Sequence, residues 1–480
     1  MVVDRVPDPP AMCLRDSPLT DSNTSPHDRC DAVRPSDVCA SEHPPTCAVS
    51  VCTRVCSPIP VYFIAHHSIP FRCTPVTAPP PRPMVEVWGE TDRKSDYKDD
   101  GTNILLDANE NAYGPSIPPP PAGTAAAECT YPDEENLHRY PDPHQHALKQ
   151  QFCDLRNNVN SKQPPLTPEN LFLGVGSDEC IDALLRMFCV PGRDRILTCP
   201  PTYGMYAVSA QVNDVAIVHV PLITTAPGFA VDVDAVCSVL SGPEGARIRL
   251  VYLCSPGNPT GALVDPAAVR ALLTLEAWNG VVVVDEAYVD FAAVREDGSS
   301  SSLAPWVTQY PNLVVMQTLS KAFGLAGIRL GAAFTSTAIA HVLNNLKAPY
   351  SISSPTSALA QAALGPAGLA VMRNKVARLT AERQRLIREL PSIPGVGRFV
   401  GGFDANFLLV EMLAGAGAAS SSVAQAVYKQ LAETRGVVVR FRGREHGCRG
   451  CLRITVGTEA ENSLLLRRLR EVLADVRRAA

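Results

Sequence analysis

Four consecutive valines at positions 281–284, followed at once by Asp285, constrain this chain more than any other feature. β-Branched side chains lose rotamer freedom in a helix and pack well on a pleated sheet, so the run reads as a strand. A strand with one wet face alternates apolar and polar residues. A run that is apolar throughout is buried on both faces, as in a parallel sheet covered by helices. Similar short apolar runs occur at 171–173, 195–198, 216–220, 249–253 and 313–316, with helix-period stretches among them. The expectation is an α/β chain whose large domain is built on a mostly parallel, mixed sheet covered by helices.

Open α/β sheets bind ligands beyond the carboxyl ends of their strands, and polar residues collect there in this chain. The run at 171–173 leads into Gly174-Val175-Gly176-Ser177-Asp178-Glu179, after which Ile181, Leu184, Leu185 and Phe188 recur at helical spacing. A glycine turn that opens a helix offers backbone N–H groups and a positive dipole end to an anion such as phosphate; alone it is a weak signal. The run at 195–198 leads to Tyr203, and that at 249–253 to Ser255-Pro256-Gly257-Asn258-Pro259-Thr260-Gly261. The valines lead to Asp285-Glu286-Ala287-Tyr288, and 313–316 to Thr318-Leu319-Ser320-Lys321, with Arg329 beyond.

At 480 residues the chain exceeds one ordinary domain, so two domains plus extras are expected. Its 46% hydrophobic and 19% charged residues are globular, and a net charge of −5 gives no reason to expect nucleic acid or an anionic membrane as partner. No apolar run reaches the ~20 residues of a membrane-spanning helix. Residues 1–100 are rich in Pro, Ser, Thr, Asp and Cys and lack any helical or strand period, so a disordered extension is expected. Seven of the 16 cysteines lie there; Cys47, Cys52 and Cys56 lack zinc spacing, and no metal site is expected. Later cysteines such as Cys189 and Cys254 stand in apolar runs and read as reduced, buried thiols of an intracellular protein. Asp4, Asp8, Asp16 and Asp21 stand where a mitochondrial presequence is basic, and no signal-type apolar core follows Met1. The expected location is cytoplasmic, with Met84 a candidate internal start.

Beyond Pro355 the pattern changes. A long helix over about 358–390, interrupted by Gly and Pro near 365–367, precedes strand-like 406–410, a helix over 421–434 and strand-like 437–440 and 452–457. Thr458 and Glu461 form a capping box for a last helix with an apolar stripe at Leu465, Leu469, Val472 and Val476. The division expected is an extension 1–100, an N-terminal arm 101–150, a large cofactor-binding domain 151–355 and a small α+β domain 356–480.

Lys321 stands alone among small and apolar residues, a setting that lowers an amine's pKa and suits a Schiff base with an aldehyde cofactor. Pyridoxal phosphate needs such a lysine. It also needs a carboxylate at its ring nitrogen, donors to its phenolic oxygen, an aromatic on its ring face, and a helix N-terminus with an arginine for its phosphate. The chain offers Lys321, Asp285, Asn258 with Tyr288, Tyr203, and Ser177, Asp178 and Glu179 with Ser320 and Arg329. A carboxylate after a buried valine run is costly unless paired, so a cationic partner for Asp285 is expected. Singly, each has a plainer reading. Asp285 suits a helix N-cap, Asn258 a turn, the tyrosines a core and Arg329 a surface ion pair. Their joint order along the strand ends favours the cofactor.

These motifs resemble the fold-type I, class II aminotransferases, pyridoxal phosphate enzymes that work as homodimers. Within them the chain is most similar to the histidinol-phosphate aminotransferase family, through residues 106–115, Arg139-Tyr140-Pro141, 318–327, 404–407 and 451–458. The resemblance covers about 101–480. It implies transamination of L-histidinol phosphate with 2-oxoglutarate in histidine biosynthesis. It implies that Tyr140 reaches the cofactor phosphate of the neighbouring subunit and that Arg453 binds substrate phosphate and the glutamate carboxylate. Arg440 would assist with the phosphate, Asn258 would join the substrate site, and Tyr113 would close over the substrate.

The preamble, the loop 118–125, the segment just before Asp96 and a serine-rich insert at 298–303, expected to widen a surface loop, depart from the family. Three other readings stay open: an aminotransferase for aromatic or other amino acids, a related phospho-amino-acid decarboxylase, and a cofactor-binding regulatory module. The last needs a DNA-binding domain, and residues 1–100 show no helix-turn-helix pattern or basic face.

Overall fold

The computed structural model describes residues 103–118, 137–158, 163–225, 228–294, 300–415 and 417–479. The extension expected over 1–100 and loop residues 119–125 lie outside them. Strand β1 (Ile104–Leu105) and helix α1 (His146–Arg156) come first. Then follow β2 (Leu171–Val175), α2 (Gly176–Phe188), β3 (Arg195–Thr198), α3 (Met205–Val212), β4 (Ala216–His219), α4 (Val233–Ser241), β5 (Ile248–Cys254), α5 (Pro266–Leu273), β6 (Val281–Asp285), β7 (Leu313–Thr318) and β8 (Leu330–Thr335). Helices α6 (Thr337–Leu346), α7 (Ser354–Leu364) and α8 (Pro366–Glu389) lead to the C-terminal elements. These are β9 (Val396–Phe399), β10 (Phe407–Met412), α9 (Ser421–Arg435), β11 (Val437–Val438), β12 (Arg440–Phe441), β13 (Cys451–Thr455) and α10 (Glu459–Ala479).

Seven strands form one sheet in the order β2-β8-β7-β6-β5-β3-β4. Strands β3 to β7 pair in parallel. Strand β8, not anticipated above, runs antiparallel to both β2 and β7. Because β2 and β7 each oppose β8, they point the same way, and the turn after β2 joins the turns after β3, β5, β6 and β7 at one sheet edge. The valines of β6 show why this sheet is sandwiched. Val282 and Val284 pack into the larger core, and Val281 and Val283 into a second core on the opposite face. Each buried valine contributes about 1.5–3 kcal/mol of transfer free energy.

A second, four-stranded antiparallel sheet has the order β12-β13-β10-β9. Pro366 opens α8 at a position where a missing N–H does no harm. The Thr458 N–H donates to the Glu461 carboxylate at 2.7 Å and the Glu461 N–H to the Thr458 hydroxyl at 3.4 Å, closing the capping box of α10. The arm is tied to this part of the chain, since β1 pairs in parallel with β11 through Ile104 opposite Val437. Among the described residues no helix is long and apolar enough to cross a membrane.

Candidate active site

A cleft of about 220 Å³ opens at the carboxyl edge of the large sheet, and Lys321, Asp285, Tyr288, Asn258, Tyr203, Ser177, Asp178, Ser320, Arg329, Arg440 and Arg453 all border it. Lys321 follows the end of β7 by three residues. Its half-buried Nζ donates to the Ala108 carbonyl at 2.9 Å, so the arm holds the amine in place. Burial, reinforced by the charge of Arg453, pulls the amine down to about 8, within reach of the neutral, nucleophilic form at neutral pH.

Asp285 ends β6, buried, with Cys254 and Met316 as its strand neighbours. Its hydrogen bonds come from neutral donors, in contrast to the cation expected from sequence. Tyr206 Oη donates to Oδ2 at 2.7 Å and the Ala287 N–H to Oδ1 at 3.2 Å. Burial raises the carboxyl to about 6, while the Tyr206 bond opposes the rise. Tyr206, in the first turn of α3, was not singled out in the sequence. Its place three residues after Tyr203, whose ring it meets edge-on at 5.6 Å, is the signal that marks it.

The neighbouring Glu286 fixes the backbone of this segment. Its carboxylate accepts from the Ser302 hydroxyl at 2.5 Å, the Leu303 N–H at 2.6 Å and the Gln317 amide at 2.8 Å. Ser302 and Leu303 are buried. This end of the serine-rich insert therefore braces the site rather than widening a surface loop, as the sequence led us to expect.

The glycine turn after β2 has a steric reason. A Cβ on Gly331 of β8 would lie 2.4 Å from the Gly176 carbonyl carbon and the Ser177 nitrogen, so only glycine lets the strand pass under the start of α2. Gly176 itself has φ +76°, and a Cβ there would meet the Arg329 guanidinium at 2.5 Å. Arg329 is exposed and pairs with Asp178 at 3.3 Å, and Tyr203 Oη donates to the same carboxylate at 3.1 Å. Glu179 turns away from the cleft, and its carboxylate accepts the Val175 N–H.

Arg453 lies in the middle of the small sheet, opposite Leu409 on one side and Arg440 on the other. Its guanidinium donates to Asn258 Oδ1 at 2.6 Å and to the Asp107 carbonyl of the arm. Its Nε is buried without a hydrogen-bond partner among the described residues. Burial, then the like charges of Arg442 and Arg440, bring it down to about 9. Arg440 pairs with the Asp107 carboxylate at 3.7 Å. The Arg453 guanidinium lies 5.4 Å from the Phe407 ring centroid, and Phe407 meets Tyr288 edge-on at 5.2 Å. Asn109 completes the seam by donating to Tyr288 Oη at 3.0 Å and accepting from Thr455 at 3.0 Å.

Besides Glu179, two expected residues stand apart. Tyr113 is not among the described residues lining the cleft; its ring packs under the Arg378 guanidinium at 3.9 Å. Tyr140 is 83% exposed and stacks on Tyr350 at 4.7 Å. Arg442, which the sequence reading passed over, does line the cleft.

A half-buried amine, a buried carboxylate bonded only to neutral donors, and a glycine turn opening a helix stand at the ends of neighbouring strands. This donor set fits pyridoxal phosphate. The carboxylate matches a protonated ring nitrogen, and the class of protein defined is a cofactor-dependent amine transferase. The family model for aminotransferase class I and II matches residues 102–469. The histidinol-phosphate aminotransferase of Candida maltosa is 51% identical over 80% of this chain and 94% of its own length. That of Schizosaccharomyces pombe is 48% identical over 78% and 91%. A solved histidinol-phosphate aminotransferase from Sinorhizobium meliloti, in complex with pyridoxal-5'-phosphate, has a similar fold, with a TM-score of 0.63 at 24% identity over 78% of this chain and 91% of that one. The chain belongs to the class I and II aminotransferases and, among them, to the histidinol-phosphate aminotransferase family.

Proposed function

We propose that this chain is a pyridoxal phosphate-dependent transaminase that moves the amino group of L-histidinol phosphate to 2-oxoglutarate, giving imidazole acetol phosphate and glutamate in histidine biosynthesis. The observation that carries this reading is one cleft bordered both by an amine of lowered pKa, Lys321, and by the strand arginines Arg440 and Arg453. Amine chemistry needs the first, and a small substrate with an anionic end needs the second.

When bound, the cofactor supplies a protonated conjugated ring that takes up the electron pair left as a Cα proton departs. Lys321 would tether it, and the same amine in its neutral form would serve as the general base for the Cα proton. Asp285 would hold a proton at the ring nitrogen. Tyr203 would flank the ring, and Asn258 and Tyr288 would donate to the phenolic oxygen. The backbone of Ser177, Asp178 and Glu179, with Ser320 and Arg329, would hold the phosphate. Arg453 takes the substrate phosphate in one half-reaction and the dicarboxylate in the other, with Arg440 and Asn258 beside it and Tyr113 closing from the arm. Tyr140, exposed on its own chain, serves the partner's site, which makes the working unit a homodimer. A cytoplasmic location and the division into an extension 1–100, an arm 101–150, a large domain 151–355 and a small domain 356–480 belong to the same reading.

The test supplies L-histidinol phosphate and 2-oxoglutarate to the holoenzyme and follows glutamate; a parallel assay supplies an O-phospho-amino acid and follows carbon dioxide, because L-histidinol phosphate has no carboxyl group to lose. Glutamate formation, lost in Lys321→Ala, supports the proposal. Carbon dioxide release from the phospho-amino acid, with no glutamate in the first assay, replaces it with the decarboxylase reading, and a preference for aromatic donors replaces the substrate.

A further inference from the structure

We propose that Arg442 is a specificity-determining residue of this cleft, the third guanidinium of a wall that favours a doubly charged phosphate over a carboxylate. The proposal rests on the function given above. Arg440 of β12 stands opposite Arg453 of β13. Arg442 lies two residues further on, and residues two apart on an extended chain share a face. The pairing continues that far, because the Arg442 N–H donates to the Cys451 carbonyl at 2.9 Å. Three arginines thus stand on one wall, and each borders the cleft that Lys321 borders.

The surroundings leave this wall with capacity for an anion. Arg442 is half-buried and pairs with Glu445 through one terminal nitrogen, at 2.9 Å. Its Nε is buried and has no hydrogen-bond partner among the described residues, and the same holds for Arg453 Nε. The hydrogen bonds of Arg453 go to uncharged oxygens of Asn258 and Asp107, so they satisfy its donors without cancelling its charge. Asp107 and Glu445 offset two of the three positive charges, at 3.7 and 2.9 Å, so the wall keeps a net positive charge that a ligand anion can balance. A carboxylate carries one charge and two oxygens, which a single arginine fork satisfies. A phosphate monoester carries close to two charges and three terminal oxygens, and so engages donors beyond that fork. Two donors of this wall, Arg440 and Arg453, were anticipated from sequence; the structure adds Arg442, whose contribution weighs on the phosphorylated substrate more than on the dicarboxylate.

The plainer alternative is an Arg442–Glu445 ion pair that only borders the cleft. The experiment compares holoenzyme of the wild type, Arg442→Gln and Glu445→Gln. KM is measured for L-histidinol phosphate and for 2-oxoglutarate separately, and inorganic phosphate binding is titrated by calorimetry. Arg442→Gln is expected to raise the KM for the phosphorylated donor and the Kd of inorganic phosphate about tenfold, equivalent to ~1.4 kcal/mol. It is expected to leave kcat and the KM for 2-oxoglutarate within about twofold, the pattern of a lost binding contact. Glu445→Gln keeps or tightens phosphate binding. Equal rises in both KM values, unchanged phosphate binding in Arg442→Gln, or an equal loss in Glu445→Gln would overturn the assignment. If the wild type does not turn over the phosphorylated donor at all, the functional reading fails on its own; the phosphate titration still decides Arg442.

Discussion

Tyr206 Oη lies 2.7 Å from Asp285 Oδ2 and donates to it, which ties the first turn of α3 to the carboxyl end of β6. The tyrosine is fully buried and stacks on Tyr252 at a centroid distance of 4.8 Å, so the donor cannot swing away. The bond favours the ionised carboxylate, and burial opposes it. Tyr206→Phe removes the favourable part. The Asp285 carboxyl then rises further above about 6, by roughly one unit, as expected for one hydrogen bond to a charged group. The expected outcome is a loss of turnover that is larger at pH 6 than at pH 8, with the acidic limb of the kcat/KM profile moved upward. An unmoved limb would show that the bond is only structural.

Asp285 also sets the stability of the protein without cofactor. Its folded pKa, about 6 against an ordinary 3.8, means that the folded chain holds the proton more tightly than the unfolded chain. Ionisation therefore costs stability progressively between those values, and above about 6 the whole cost is present, on the order of 3 kcal/mol. Asp285→Asn should raise the denaturation midpoint of the cofactor-free protein at pH 8, leave it nearly unchanged at pH 4, and abolish turnover. Loss of stability at pH 8 would show that the carboxylate is satisfied without the cofactor.

The sheet was legible in the sequence wherever burial on two faces forced apolar runs, as in the valines of β6. Strand β8 was not. Its Gly331-Ala332-Ala333 is built of small residues, Gly331 because it passes under Gly176 and Ser177, and small residues carry little strand signal. The cleft residues contributed by the large sheet stood out as polar positions at or just past strand ends, and Arg440 and Arg453 as arginines within apolar strand runs. The contacts between them did not, because sequence spacing says nothing of partners far apart in the chain. Tyr206 read as an ordinary helix aromatic. Arg442 opens a stretch rich in Gly and Arg that reads as a loop, although its backbone still follows β13.

Lys321, held down to about 8 by burial and by Arg453, sets the pH at which cofactor is captured. The neutral amine is the reactive form, so the rate at which the cofactor-free protein takes up pyridoxal phosphate should rise through about pH 8 and level off above it. Arg453→Gln removes a repelling cation, which lets the amine hold its proton more strongly. The midpoint then moves to higher pH. Stopped-flow absorbance across pH 6.5 to 10 checks both, and a midpoint that stays in place would leave burial alone as the cause.

Gly331→Ala places a methyl group 2.4 Å from backbone atoms of the turn that opens α2. Backbone yields less readily than a side chain end, so the variant should lose about 1–3 kcal/mol of stability. Its cofactor affinity should fall while the lysine chemistry at saturation is kept. Denaturant unfolding and equilibrium titration with pyridoxal phosphate measure the two. Wild-type affinity would mean that the turn absorbs the methyl without moving its N–H groups.

Consecutive carbonyls of the arm serve two different cations: Asp107 accepts from the Arg453 guanidinium and Ala108 from the Lys321 amine. The next residue, Asn109, bridges Tyr288 and Thr455. The two peptide planes meet at the Cα of Ala108, so a shift of one carbonyl reaches the other through the φ and ψ of that single residue. Whatever engages the amine alters the ledge on which the guanidinium rests, and an anion drawn to the guanidinium alters the acceptor available to the amine. Three residues of main chain thereby give the two binding events a shared coordinate, and thermodynamic reciprocity requires that each influence the other by the same factor.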